Sequence, residues 1–335
     1  MKKIFTVLLI ILNFLFVYGN KYKYERFSLS LSMKSNFVRT IFVDGDNIWA
    51  GTHNGLSLIN SGKVVSNFFA NYKTVISGNL KEIEGNSFLA DNRINDIEKI
   101  SDKYYIATDG GLNIFEYISS NWSTIHKENS RLGSNLIKAI AKEHTILWIG
   151  TQNKGLYTYN TVSGESKIAG LDIEGKEIVN SKRISTINYI ENEGLLIVGT
   201  YDKGIFIKKD NEWANITTKY PLKSRLPSDR ILCTEYGNGE LWVGTNKGLV
   251  GIRSGKYRLM NEKHGFEYPV ILSMLYFKDN LYIGTARGLY VLDSEDELSK
   301  MELDKSYRIL DIKSINDNKI IIATQNNGML EIDIP

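Results

Sequence analysis

Leu241-Trp242-Val243-Gly244-Thr245-Asn246-Lys247-Gly248-Leu249 is the stretch on which the architecture of this chain turns. Its first five residues recur as Ile48-Trp49-Ala50-Gly51-Thr52, Tyr104-Tyr105-Ile106-Ala107-Thr108, Leu147-Trp148-Ile149-Gly150-Thr151, Leu196-Ile197-Val198-Gly199-Thr200, Leu281-Tyr282-Ile283-Gly284-Thr285 and Ile320-Ile321-Ile322-Ala323-Thr324. Each copy is followed within four residues by a Gly and a second apolar run. The seven threonines stand 56, 43, 49, 45, 40 and 39 residues apart. A period of roughly 40–50 residues carrying several strands is that of a β-propeller blade. The fold class that follows is all-β, a single seven-bladed propeller of four-stranded antiparallel blades.

Around Trp242 the pattern of one blade is complete. Ile231 to Tyr236 forms an inner strand, Gly237-Asn238-Gly239 turns the chain, and Leu241 to Thr245 runs back. Asn246-Lys247-Gly248 turns again into Leu249 to Ile252, and Ser254-Gly255-Lys256 leads to Tyr257 to Met260. These are strands A, B, C and D from the axis outward, joined as antiparallel hairpins. The other A strands are predicted to begin near Val38, Ile94, Ile137, Ile184, Val270 and Ile309. The B strands are almost continuously apolar, as suits a sheet covered on both faces. The small residue before each Thr leaves room for an adjacent backbone or ring, and the aromatic two residues earlier is a candidate for that ring. The last repeat supplies only A, B and C strands. Tyr24 to Ser30 alternates in the strand manner, so it is predicted to complete that blade and close the ring.

Met1-Lys2-Lys3 and the 15-residue apolar run Ile4 to Tyr18 have the form of a signal peptide, with a cleavage site near Gly19. The expected organisation is therefore a signal peptide over 1–19 and a propeller over 20–335. No lipid-attachment cysteine follows the leader, and the single Cys233 excludes an intramolecular disulfide framework. The expected location is periplasmic or secreted, with no stable membrane insertion after cleavage. The net charge is +3, near +1 once Lys2 and Lys3 are removed, and no long run of like charges occurs. That gives no electrostatic footprint for nucleic acid.

The compound motif Leu-Trp-Ile-Gly-Thr-x-x-Gly-Leu, with Leu226-Pro227-Ser228-Asp229-Arg230-Ile231 before one copy, resembles the two-component regulator propeller repeat. The resemblance covers nearly the whole chain after the leader. It implies a sensor-type propeller outside the inner membrane, in a family that often reads glycan fragments. The chain departs from that family's longer members: it carries one ring, with no immunoglobulin-like, kinase or response-regulator segment. The resemblance extends to fold and not to phosphotransfer.

Strand directions put the B–C turns and the D-to-A connections on one face of the ring. The longest connection runs from about Ala70 to Arg93, and loops on a rigid scaffold are where binding usually resides. Arg93, Arg183, Arg230 and Arg308 each stand just before the first apolar residue of an A strand, which is expected to gather them near one mouth of the channel. Arg39 and Lys138 lie one residue inside their strands. Arg287 and Tyr201, on B–C turns, and Tyr268, on a D-to-A connection, complete the candidate ligand-binding set. Converging guanidinium groups favour carboxylate, sulfate or sugar hydroxyl ligands. The alternative is that each Arg pairs with an acidic neighbour such as Asp91 or Asp229. His53, His126, His144 and His264 fall in different blades without metal-ligand spacing, as loop residues expected to be solvated. No phosphate loop, nucleophile elbow or metalloprotease motif occurs. The expectation is no catalytic residue, no metal and no cofactor. The partner is then a small-molecule or oligosaccharide ligand, or in an alternative reading a protein. A propeller-type lyase is the third reading.

Overall fold

Each B strand is buried along nearly its whole length, and this burial on both faces is what builds the ring. The computed structural model describes residues 24–27, 33, 35–76, 79–219 and 226–334. In the B strands Asn47–Thr52, Lys103–Thr108, Ile146–Thr151, Leu195–Thr200, Asn280–Thr285 and Lys319–Thr324, every residue after the first is buried, and Glu240–Thr245 is buried throughout. Such strands need a neighbouring sheet on each side. Seven four-stranded antiparallel sheets supply them. Their A strands are Val38–Asp44, Ile94–Ile100, Ile137–Glu143, Ile184–Ile190, Ile231–Gly237, Ile271–Phe277 and Ile309–Asn316. Each touches the A strand of the next blade, and the seventh touches the first. Among the described residues the only helical turns are Glu191–Glu193 and Glu262–His264.

The ring closes as the strand count requires. Tyr24–Phe27 pairs antiparallel with Met329–Asp333, from Tyr24 opposite Ile332 to Phe27 opposite Met329, and completes the seventh sheet. Ser28 to Ser30 and the leader 1–19 lie outside the described residues. The sixth A strand begins at Ile271, one residue later than predicted. Val270 belongs to the turn before it, donating its N–H to the Tyr268 carbonyl. The 70–93 connection holds a hairpin, Tyr72–Ile76 with Asn79–Ile83, that the repeat pattern does not announce. Asparagines fasten it to the ring: Asn86 and Asn92 accept from the Phe69 and Ala70 amides, and Asn71 accepts from that of Gly85.

The signature residues have separate tasks. In every blade the buried Thr donates its hydroxyl to the carbonyl of the following turn glycine, at 2.7–2.9 Å. The same oxygen accepts an amide from within the turn. One side chain thus satisfies two backbone groups that the tight B–C turn leaves over. The glycine before it serves the seam between blades. A Cβ on Gly51, Gly150, Gly199, Gly244 or Gly284 would lie 2.4–2.8 Å from the Cγ2 of the isoleucine that opens the next A strand. The space belongs to that isoleucine and not to an aromatic ring, because the bulk of Trp49, Tyr105, Trp148, Trp242 and Tyr282 is buried within the seams.

Polar ties reinforce the seams. Turn glycines donate across to the loop before the next A strand: Gly55 to Asn92, Gly155 to Lys182, Gly204 to Asp229 and Gly328 to Asn36. Nearer the axis, Asp96 accepts from its own blade at Ile97 and from the next at Ile140. Asp311 does the same with Ile312 and Ile41, which joins the last blade to the first.

Candidate functional site

All seven A strands carry a bulge at the same place, between their first and third residues. A bulge leaves one residue out of the ladder and turns its side chain aside. Here the residue left out is Arg39, Asn95, Lys138, Ser185, Leu232, Leu272 or Leu310, and all seven line one cavity of about 440 Å³ at the loop-rich mouth of the channel. Phe37, Tyr201, Arg230, Arg308 and Gln325 complete its wall. No aspartate or glutamate is among the lining residues, whereas four are cationic. A second cavity of about 330 Å³ continues down the axis, past Asp96, Asp311, Glu235 and Lys313.

The cations of the mouth are held in different ways. Arg39 donates from Nη2 to His53 Nε2 at 2.7 Å. A guanidinium has only donors, so the imidazole accepts there and is neutral at that nitrogen. Burial, with Arg39 and Arg93 nearby, lowers the His53 pKa to about 4 and keeps it so. The ring also stacks on Phe37 with centroids 3.6 Å apart. His53 is therefore a support for Arg39 instead of the solvated loop residue expected. Arg39 Nε is buried with no hydrogen-bond partner among the described residues. Burial, foremost, also lowers the pKa values of Arg39 and Lys138. Lys138 donates to Asn95 Oδ1 at 3.0 Å and lies 3.6 Å from Asp109. Burial tends to raise Asp109, but the Asn95 amide, Lys138 and Arg93 outweigh it and hold the carboxylate below its ordinary value.

Of the four arginines before the A strands, Arg230 and Arg308 line the cavity. Arg183 and Arg230 sit on one ring, that of Tyr201, with guanidinium carbons 5.3 and 5.5 Å from its centroid. Arg93 is paired with Asp109 at 3.2 Å and stands outside the lining set. The expected partners are otherwise occupied. Asp91 accepts the Arg93 amide, and Asp229 accepts from the Thr218 amide and hydroxyl. Among the described residues, Arg183, Arg230, Arg287 and Arg308 have no carboxylate within salt-bridge distance. Arg287 lies 5.2 Å over the Tyr268 ring, a second cation–aromatic pair that is not part of the mouth lining. The ring of bulged residues is the part of the site that the sequence pattern left unread, except for Arg39 and Lys138. Aligning the A strands on their first isoleucine or valine brings it out as a column.

A cavity of about 500 Å³ on the rim between the fifth and sixth blades makes a useful contrast. There Glu240 already pairs with Arg253 and Arg258, and Arg258 covers the Trp242 ring at 4.8 Å. Its charges satisfy each other; in the mouth Arg39, Arg230 and Arg308 have no carboxylate within salt-bridge distance among the described residues. The remaining histidines are engaged locally: His126 with Glu128, His144 edge-on to Tyr189, and His264 at the cap of the Glu262–His264 turn. Among the described residues no three His, Cys, Asp or Glu side chains are placed to hold a metal. None of the helices there is long and apolar enough to cross a membrane.

This fold is shared with extracellular domains of bacterial two-component systems. The chain superimposes on the extracellular domain of the hybrid two-component system BT3049 of B. thetaiotaomicron with a TM-score of 0.73 at 20% identity, covering 93% of this chain and 42% of that one. For the corresponding domain of BT4673 the values are 0.70, 18%, 94% and 40%. The chain thus spans less than half of either domain. Virginiamycin B lyase of Staphylococcus aureus has the same architecture, with a TM-score of 0.64 at 12% identity over 94% of this chain and 99% of the other. No protein-family model matches the sequence, and no curated protein matches it.

Proposed function

We propose that this propeller is a non-catalytic, extracytoplasmic ligand-binding domain of the sensor type, taking an anionic or polar ligand at the loop-rich mouth. The observation that carries this reading is the lining of that mouth: Arg39, Lys138, Arg230 and Arg308 around one cavity, with no carboxylate among the lining side chains. A cavity of this size lies within the ~300–1,000 Å³ usual for small-molecule sites. Cationic donors gathered around a cavity favour carboxylates and sulfates through charge-assisted hydrogen bonds. The extracellular origin of the BT3049 and BT4673 domains supports the location, together with the leader-like residues 1–19.

The test is calorimetric titration with uronate oligosaccharides and simple organic carboxylates, on the wild type and on an Arg230→Gln, Arg308→Gln double variant, at two salt concentrations. Charge-assisted contacts contribute about 1.5–3 kcal/mol each, so the double variant is expected to bind at least about a hundredfold more weakly with its melting temperature preserved. Equal binding by both proteins, or a lowered melting temperature with no change in binding, would refute the reading.

A protein partner is favoured by a different surface. At the outer seam of the first two blades, Val65, Phe88 and Ile118 stand 56%, 78% and 86% exposed beside a groove floored by Phe68, Phe115 and Trp122. Exposed apolar clusters of this kind mark interaction sites.

A further inference from the structure

The bulged ring is chemically divided. Going round the mouth from the first blade, the side chains are Arg39, Asn95, Lys138 and Ser185, then Leu232, Leu272 and Leu310. The three leucines are contiguous, since the fifth, sixth and seventh blades are neighbours. All three are only partly buried, and none belongs to the apolar clusters that fill the seams. Packing between blades therefore does not account for them. Within the bulged ring they form an apolar arc opposite the hydrogen-bonding and cationic residues, while Arg230 and Arg308 of the same blades also line the cavity.

We infer that the mouth takes a small amphiphilic anion, a single carboxylate-type head on an aliphatic body of about four to eight carbons. This rests on the reading of the mouth as an anion site and names its ligand class. The head group meets the cations of the mouth, Arg39 and Lys138 within the bulged ring together with Arg230 and Arg308 just before it in sequence. Arg39 lines the cavity, is held by His53 through Nη2, and has no carboxylate within salt-bridge distance among the described residues. The aliphatic body lies along Leu232, Leu272 and Leu310. A hydroxyl-rich sugar fits this arc poorly, because hydroxyls stripped of water there find no partner on three leucines. The aliphatic chain gains what the sugar loses, since it removes apolar surface from water on both sides.

The experiment is a calorimetric series on the full chain with acetate, butanoate, hexanoate and octanoate, with 1-hexanol and glucuronate beside them. Each methylene laid on the leucine arc is expected to raise affinity by about twofold to fourfold, until the arc is filled. Hexanol, with the same body and no charge, is expected to bind at least tenfold more weakly than hexanoate. Arg39→Gln is expected to weaken all the carboxylates while keeping the chain-length dependence. Leu272→Asn with Leu310→Asn is expected to flatten that dependence and leave acetate unchanged. The wild-type series stands even where a variant fails to fold. Carboxylates and glucuronate that bind without dependence on chain length would overturn the amphiphile and leave the anion mouth standing. Hexanol that binds as well as hexanoate would overturn the role given to the cationic arc. Absence of binding by every anion would overturn both this inference and the anion site beneath it.

Discussion

Gly150→Ala tests how the blades fit together. A methyl group placed on Gly150, in the third blade, would lie 2.4 Å from Ile184 Cγ2, 2.8 Å from Ile184 Cβ and 3.1 Å from Ile187 Cδ1, all in the fourth. Ile184 Cβ is fixed by the backbone of a strand whose leading isoleucine is fully buried, so rotation about χ1 moves Cγ2 but leaves the 2.8 Å approach to Cβ unrelieved. Overpacking of a closed core costs about 1–3 kcal/mol. Ile184→Ala, which empties the opposing space, costs about 2–5 kcal/mol through lost burial and a cavity. If the two sites press on each other, the double variant is less destabilised than the sum of the singles by at least ~1 kcal/mol, because the new methyl enters the vacated volume. Urea unfolding of the four proteins, followed by tryptophan fluorescence, gives the coupling from midpoints and slopes. Additivity within about 0.5 kcal/mol would show that the seam opens freely at this point and that the glycine serves another purpose.

Removing residues up to Phe27 is expected to lower the melting temperature far more than removing the hairpin Tyr72–Ile83. The first deletion exposes the edge of the last blade, and the second takes away an insertion outside all seven sheets. Similar melting temperatures would contradict closure by that strand. The pH dependence of stability has a definite sign. Burial raises Glu235 from 4.5 to about 7 and Asp96 from 3.8 to about 7, against the opposing pull of Lys313. Between these limits the folded chain binds more protons than the unfolded one, so stability contributed by protonation is fully present below about pH 4 and is lost as pH rises to about 7. Glu235→Gln is expected to flatten thermal stability across that window and to raise it at pH 8; an unchanged profile would count against the channel carboxylates as its source.

The fold was legible because each blade repeats the same solution to one problem, a B strand covered on both faces. That requirement writes nearly continuous apolar runs at a fixed period. The closing strand followed from counting: three strands at one end and a spare at the other. The features without a sequence signal have no such periodicity. The Tyr72–Ile83 hairpin is a single insertion, anchored by Asn71, Asn86 and Asn92, and asparagines in a loop look alike whether or not they accept a backbone amide. The arginines before the A strands were visible as a column, and two of the four reach the cavity. Proximity in sequence points to Asp91 and Asp229 as their partners, whereas Arg93 pairs with Asp109 and Arg183 lies over Tyr201. The column behind them, running from Arg39 to Leu310, depends on a backbone bulge that turns the second residue of each A strand into the mouth. Its mixed composition hides it from a search for alternation.

The pairing of Tyr24–Phe27 with Met329–Asp333 also governs how the chain comes to be folded. The two partners are about three hundred residues apart, so their contact is among the most non-local in the molecule and pays the loop-closure entropy of the whole ring. Strands made early can form their own blades by local hairpins, but the first strand must wait, unpaired, for the last. Until then the nascent ring is an open crescent with two sticky ends. While that pair is open, the edge of Met329–Asp333 is unpaired and complementary to Tyr24–Phe27 of any second copy.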